Sequence, residues 1–156
     1  MSVANEPTFS SILVLIDLAP STPKVLAAAL RLARCTGARL CLLHVEPPEP
    51  DFVGYRAGPQ TVRDSLADEW RDEHRRLQEL GDRVRAEGIE VLTLQIRKPL
   101  AEAVVTEARS RGADLVVAGF SRHGLLHRLI HGDTVHEIAD PLACPILLVP
   151  EDASVS

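Results

Sequence analysis

Apolar and polar positions alternate along the chain in blocks that switch between two periods. Ser11 to Leu18, SILVLIDL, is an apolar, β-branched run of strand length with Asp17 near its C-terminal end. Then Val25, Leu26, Ala29, Leu30, Leu32 and Ala33 recur as one broad helical face, with Ser21 positioned to cap the first turn, Pro23 inside it and Gly37 at its end. A second apolar run, Leu40 to Val45, follows at once. Two strands that are hydrophobic on both faces and joined by a helix predict a parallel βαβ unit with a right-handed crossover, not a hairpin.

The segment 46–60, EPPEPDFVGYRAGPQ, carries four prolines and two glycines and reads as a long, partly extended loop. From Val62 to Glu87 the spacing Val62, Leu66, Trp70, Leu77, Leu80, Val84 draws one helical stripe. Asp72 with Arg76 and Glu79 with Arg83 stand at i,i+4 on its solvated face, and Trp70 belongs to the core or an interface. After Gly88, Ile89 to Ile96 alternates apolar and polar residues, the pattern of a strand at a sheet edge. Leu100 to Arg111 repeats the helical pattern up to Gly112, and Ala113 to Gly119, ADLVVAG, predicts the most buried strand. A short helix, Val135 to Ala139, ends at Pro141, and Pro145 to Val149 forms a last strand. Five strands alternating with four helices predict one α/β domain over residues 1–156, an open, doubly wound parallel sheet with helices on both faces and no internal repeat.

Composition sharpens this picture without redirecting it. With 156 residues, 46% of them hydrophobic, there is material for one core. Aromatics at 3% leave that core to Leu, Val, Ile and Ala. The net charge of −5 offers no basic footprint for nucleic acid or an acidic membrane. No apolar run approaches the ~20 residues of a membrane span, and MSVANEPTFS lacks the regions of a signal peptide, so a cytoplasmic location is expected. Cys35, Cys41 and Cys144, odd in number and without CxxC spacing, read as reduced, buried thiols without chemistry.

Ligands of open α/β sheets bind beyond the C-terminal strand ends, where strand order reverses. That rule selects Asp17 and Leu18 after the first strand, Val45 and Glu46 after the second, and Gly119 onward after the fourth. A glycine there permits close approach of backbone to a ligand, and a helix starting near Asp133 offers free N–H groups to an anion. The stretch GFSRHGLLHRLIHGDT also places His123, His127 and His131 four residues apart. Gly124 interrupts that run and Gly132 ends it, so a helical metal face is not expected. The reading is a polar, mildly basic loop with Arg122 and Arg128. GxSxG, GKS/GKT and HExxH motifs do not occur, and aromatics to stack on a flavin are few.

SILVLIDLAPST, LCLLHVEPP, ADLVVAGFSRHG and CPILLVP together resemble the universal stress proteins, over nearly the whole chain. The resemblance implies strand order 3-2-1-4-5 and a homodimer paired through the last strand, Pro145 to Val149. It also implies ATP or AMP as ligand, with Mg²⁺ accompanying ATP. In the ATP-binding branch a glycine, two residues, a second glycine, nine residues, then glycine and a serine or threonine surround the phosphates. Laid on this chain, Gly119 and Gly132 match. Arg122 replaces the second glycine, and Asp133 replaces the hydroxyl residue, with Thr134 one position beyond. An arginine can clamp phosphate with its forked donors, whereas Asp133 suits a helix N-cap better than a polyphosphate. The expected binding residues are therefore Asp17 and Val45 for the adenosine and Gly119, Arg122, Gly132, Asp133 and Thr134 for the phosphates, with no catalytic and no metal-ligating residue. The corresponding function is a nucleotide-responsive stress-signalling module rather than an enzyme. The alternatives are a nucleotide-independent dimer acting through protein partners, as in the branch without the motif, and a weak ATPase using Asp17 or Asp133 to place Mg²⁺ and water.

Overall fold

The computed structural model describes residues 8–20, 22–48, 60–120, 138 and 140–150, with the side chains of 61, 62 and 120 excepted. Five parallel strands, β1 (Ser11–Leu15), β2 (Arg39–Glu46), β3 (Val91–Arg97), β4 (Leu115–Phe120) and β5 (Ile146–Pro150), form one sheet in the order β3-β2-β1-β4-β5. The helices α1 (Thr22–Thr36), α2 (Gln60–Ala86) and α3 (Leu100–Ser110) connect them. This is the doubly wound sheet and the strand order expected. Strand order reverses between β1 and β4, so the crevice beyond their C-terminal ends is the switch point.

The two-residue period of the strands sorts the core into two layers. On one face Ile12, Val14, Ile16, Leu40 and Leu42 meet Val25, Leu26, Ala29 and Ala33 of α1 and Leu77 and Val84 of α2. On the other, Leu13, Cys41, Leu43, Val45 and Val116 meet Ala103, Val104 and Ala108 of α3, with Ile138 and Leu142. The near-continuous apolar character of β1, β2 and β4 follows from burial on both faces. β3 lies at one edge, as its alternation predicts, with Leu92 41% exposed. β5 forms the other edge, and Ile146, Leu147 and Leu148 are exposed.

Several local expectations are corrected. The first strand ends at Leu15, three residues early, and Leu18 cannot extend it, since it takes a left-handed φ of 57°. Asp72 pairs with Arg75, one turn partner nearer than expected, while Arg76 reaches across to donate to the Leu18 carbonyl at 2.9 Å. Cys35 is exposed rather than buried. Residues 138 and 140–142 are helical, so the predicted short helix continues past Pro141, and its first residues fall outside those described.

Candidate functional site

β1 delivers Asp17 to the sheet's C-terminal rim. The Ile16 amide still donates to the Leu43 carbonyl at 2.8 Å, which keeps β1 beside β2 until the residue before Asp17. One carboxylate oxygen of Asp17, Oδ1, accepts from the Ala19 amide at 3.0 Å and the Thr22 hydroxyl at 3.2 Å. This Asx-type turn fixes the side chain at the start of α1. The predicted capping residue, Ser21, lies outside the described residues. Among those described, Oδ2 of Asp17 has no protein partner, which leaves it available to a ligand donor.

Asp17, Val45 and Gly119 line a single narrow recess with Leu15, Ile16, Leu43 and Leu100. Three strand ends, those of β1, β2 and β4, thus converge as the switch-point rule requires. The walls are aliphatic, with one carboxylate and one glycine. A glycine at such a strand end lets backbone approach closely.

Two neighbours in sequence do not join this recess. Leu18 turns toward the α1–α2 side, where it packs against the core. Glu46 projects to the face opposite Val45, because successive strand residues alternate, and meets Arg97 at 3.1 Å. Arg122, Gly132, Asp133 and Thr134, with His123, His127 and His131, lie outside the described residues. Missed by the sequence reading were Thr22, whose hydroxyl secures Asp17, and Arg76, which anchors the following turn from 58 residues away. A Thr opening a helix five residues after a strand-end Asp was the only local signal for the first. Sequence offers none for the second.

Cysteine chemistry is not part of the site. Burial pushes the Cys41 thiol up to about 11, and burial also raises that of Cys144, so both stay protonated and poorly nucleophilic near neutrality.

The fold and recess define a small doubly wound α/β protein with a narrow crevice at its switch point. Residues 8–150 match the model of the Universal stress protein family, and the chain belongs to that family. A universal stress protein from Thermus aquaticus, encoded in the 3′ region of a QAH/OAS sulfhydrylase gene, is 30% identical over 149 residues, covering 90% of this chain and 98% of the relative. A family structure from Burkholderia pseudomallei is 27% identical and superposes with a TM-score of 0.65, covering 94% of this chain and all of the other. Two more distant structures share the fold. One is a universal stress protein in complex with cAMP, at 20% identity and TM-score 0.59, covering 91% and 97% of the two chains. The other, from Archaeoglobus fulgidus in complex with dAMP, has 16% identity and TM-score 0.55, covering 90% and 98%.

Proposed function

We propose that this protein is a nucleotide-responsive binding and signalling module of the cytoplasm, not a turnover catalyst, with an adenine nucleotide held in the recess at the switch point. The observation that carries the reading is the convergence of Asp17, Val45 and Gly119 from three strand ends on one aliphatic recess. The aliphatic walls suit the adenine and ribose carbons, and the Asp17 oxygen that has no partner among the described residues suits an amino or hydroxyl donor. Two structures of the same fold hold cAMP and dAMP. In this reading Arg122, Gly132, Asp133 and Thr134 would hold the phosphates, Arg122 as the clamp, and Asp133 would hold the Mg²⁺ that neutralises polyphosphate charge. Three free cysteines, one of them exposed, fit a reducing compartment.

Calorimetric titration of the full chain with ATP and Mg²⁺, and separately with AMP, tests the reading. Binding in the micromolar range, tighter for ATP than for AMP, is the expected result. Arg122→Ala should weaken ATP about tenfold while leaving adenosine binding unchanged, as for loss of one charge-assisted contact. Absence of heat with either nucleotide overturns the proposal. A second reading, a dimer acting through protein partners without nucleotide, is favoured by one observation: the exposed apolar residues Ile146, Leu147 and Leu148 along the edge strand β5.

A further inference from the structure

We propose that His44, Glu46 and Glu73 form a binding site for a divalent transition cation of the zinc type, on the α2 face of the sheet and separate from the recess around Asp17. His44 and Glu46 are two apart on β2 and so share a face, while Glu73 comes from α2, which packs over β2 and β3. One ligand atom from each of the three lies within 4.8 Å of the others.

The imidazole carries the argument. His44 is only 5% exposed, and its Nδ1 lies 2.7 Å from the Ile16 carbonyl oxygen. A carbonyl oxygen only accepts, so Nδ1 donates there and Nε2 is the ring nitrogen turned toward Glu73. Nε2 is buried and, among the described residues, makes no hydrogen bond; Oε2 of Glu73 lies 3.5 Å away as an ion-pair partner. Buried polar atoms are ordinarily satisfied, and an unbonded buried ring nitrogen aimed at carboxylates is what a cation would complete. The arrangement is also the usual one for a ligating histidine, with its second ring nitrogen oriented by a backbone carbonyl.

The carboxylates supply charge and reach. Glu46 and Glu73, both only partly buried, stand beside the buried imidazole, and a dication would draw the three ligand atoms together. Donors on tetrahedral zinc stand about 3.4 Å apart, from bonds of about 2.1 Å, so the cluster needs to contract by little more than about 1 Å. Both glutamates can supply that by side-chain rotation, being only partly buried. Gln95 Nε2 lies 3.3 Å from Glu46 Oε1 and the Arg97 guanidinium 3.1 Å from Glu46 Oε2, positioning this ligand from outside. Three protein ligands leave a fourth position for water. The imidazole nitrogen selects against Mg²⁺ and Ca²⁺, which prefer oxygen.

The site carries its own reporter. Arg97, which holds Glu46, also stacks 4.7 Å from the ring centre of Trp70, the single tryptophan of the chain. Drawing Glu46 onto a cation moves its Arg97 partner and changes the Trp70 environment.

Zinc alone, titrated into the full chain and followed by calorimetry and Trp70 fluorescence, tests the proposal. Three variants run in parallel: Glu73→Gln, His44→Gln, and one with His123, His127 and His131 all changed to Gln. The expected result is one zinc per chain with a fluorescence change. Affinity falls at least about tenfold in Glu73→Gln, stays unchanged in the triple variant and resists excess Mg²⁺. Zinc affinity unaltered by Glu73→Gln overturns the site, as does binding abolished in the triple variant, and displacement by Mg²⁺ overturns the cation class. Glu73 is partly exposed on a helix surface, so its variant remains decisive even where His44→Gln disturbs folding.

Discussion

Asp114 is the residue that ties the start of β1 to the turn leading into β4. Its two oxygens accept from the Ser10 amide at 2.8 Å, the Ser10 hydroxyl at 2.9 Å and the Ser11 amide at 3.1 Å. Burial works against its ionisation, but these donors prevail and hold the carboxyl below the usual aspartate range. Asp114→Ala should therefore cost about 1–2 kcal/mol at neutral pH, the scale of hydrogen bonds to a charged group discounted for a partly exposed site. The sign of the pH dependence follows from the depressed value. The contribution is fully present above the ordinary aspartate value of about 3.9 and is lost as pH falls through the lower folded value. Urea unfolding of both proteins should show a constant gap from pH 7 to about 5 that closes in more acidic buffer. A gap that persists unchanged into acid would mean that Asp114 acts through packing rather than charge. Leu18 shows a different residue-scale effect. Its left-handed φ of 57° is tolerated because its side chain packs against the core and Arg76 holds its carbonyl.

Between elements, α2 approaches β3 closely at Gly81. A Cβ added there would stand 2.7 Å from the Cγ2 methyl of Thr93. That methyl is not free to move aside, because threonine is stiff at χ1 and the Thr93 hydroxyl accepts from Gln78 at 2.8 Å. In an open helix, Gly to Ala gains up to about 1 kcal/mol, but overpacking of this kind costs about 1–3 kcal/mol, so Gly81→Ala should be net destabilising. Thr93→Ser keeps the hydroxyl and removes the methyl. The double variant should recover most of the loss in thermal unfolding, and simple additivity of the two changes would refute the contact. The other exposed element is β5. Its Ile146, Leu147 and Leu148 are 37%, 40% and 42% exposed at an unpaired edge, the kind of strand that seeks a partner. Sedimentation velocity should find a dimer, and Leu148→Lys should shift it to monomer. A wild-type monomer would remove β5 from the list of interfaces.

At the scale of the whole molecule, the sheet separates two chemistries. Residues of β2 alternate between the α3 face, where Val45 joins the recess, and the α2 face, where His44 and Glu46 meet Glu73. Nucleotide and cation would therefore occupy opposite sides of one strand. Loading zinc should leave the AMP affinity of the calorimetric assay unchanged within about twofold, because coupling across the sheet would need β2 to move and it is paired on both sides. A large change in AMP affinity on zinc loading would instead identify β2 as a bistable element.

How much was legible beforehand differs by level. The alternation of helical and strand periods was enough to predict the elements and the doubly wound class, since burial on two faces writes a continuous apolar run and burial on one face writes an alternation. It also located Asp17, Val45 and Gly119, because the switch-point rule depends on strand ends alone. Sequence placed His44 inside the run Leu40 to Val45 without assigning it a role, and it placed the i,i+4 partner of Asp72 one residue too far along. Neither the orphaned Nε2 of His44 nor the reach of Arg76 to Leu18 has a local signature. Local periodicity determines which residues are buried and in what order the elements run. Which side chains face one another from β2, α2 and the turn after β1 is decided only when the sheet is assembled, because those contacts join residues far apart in the chain.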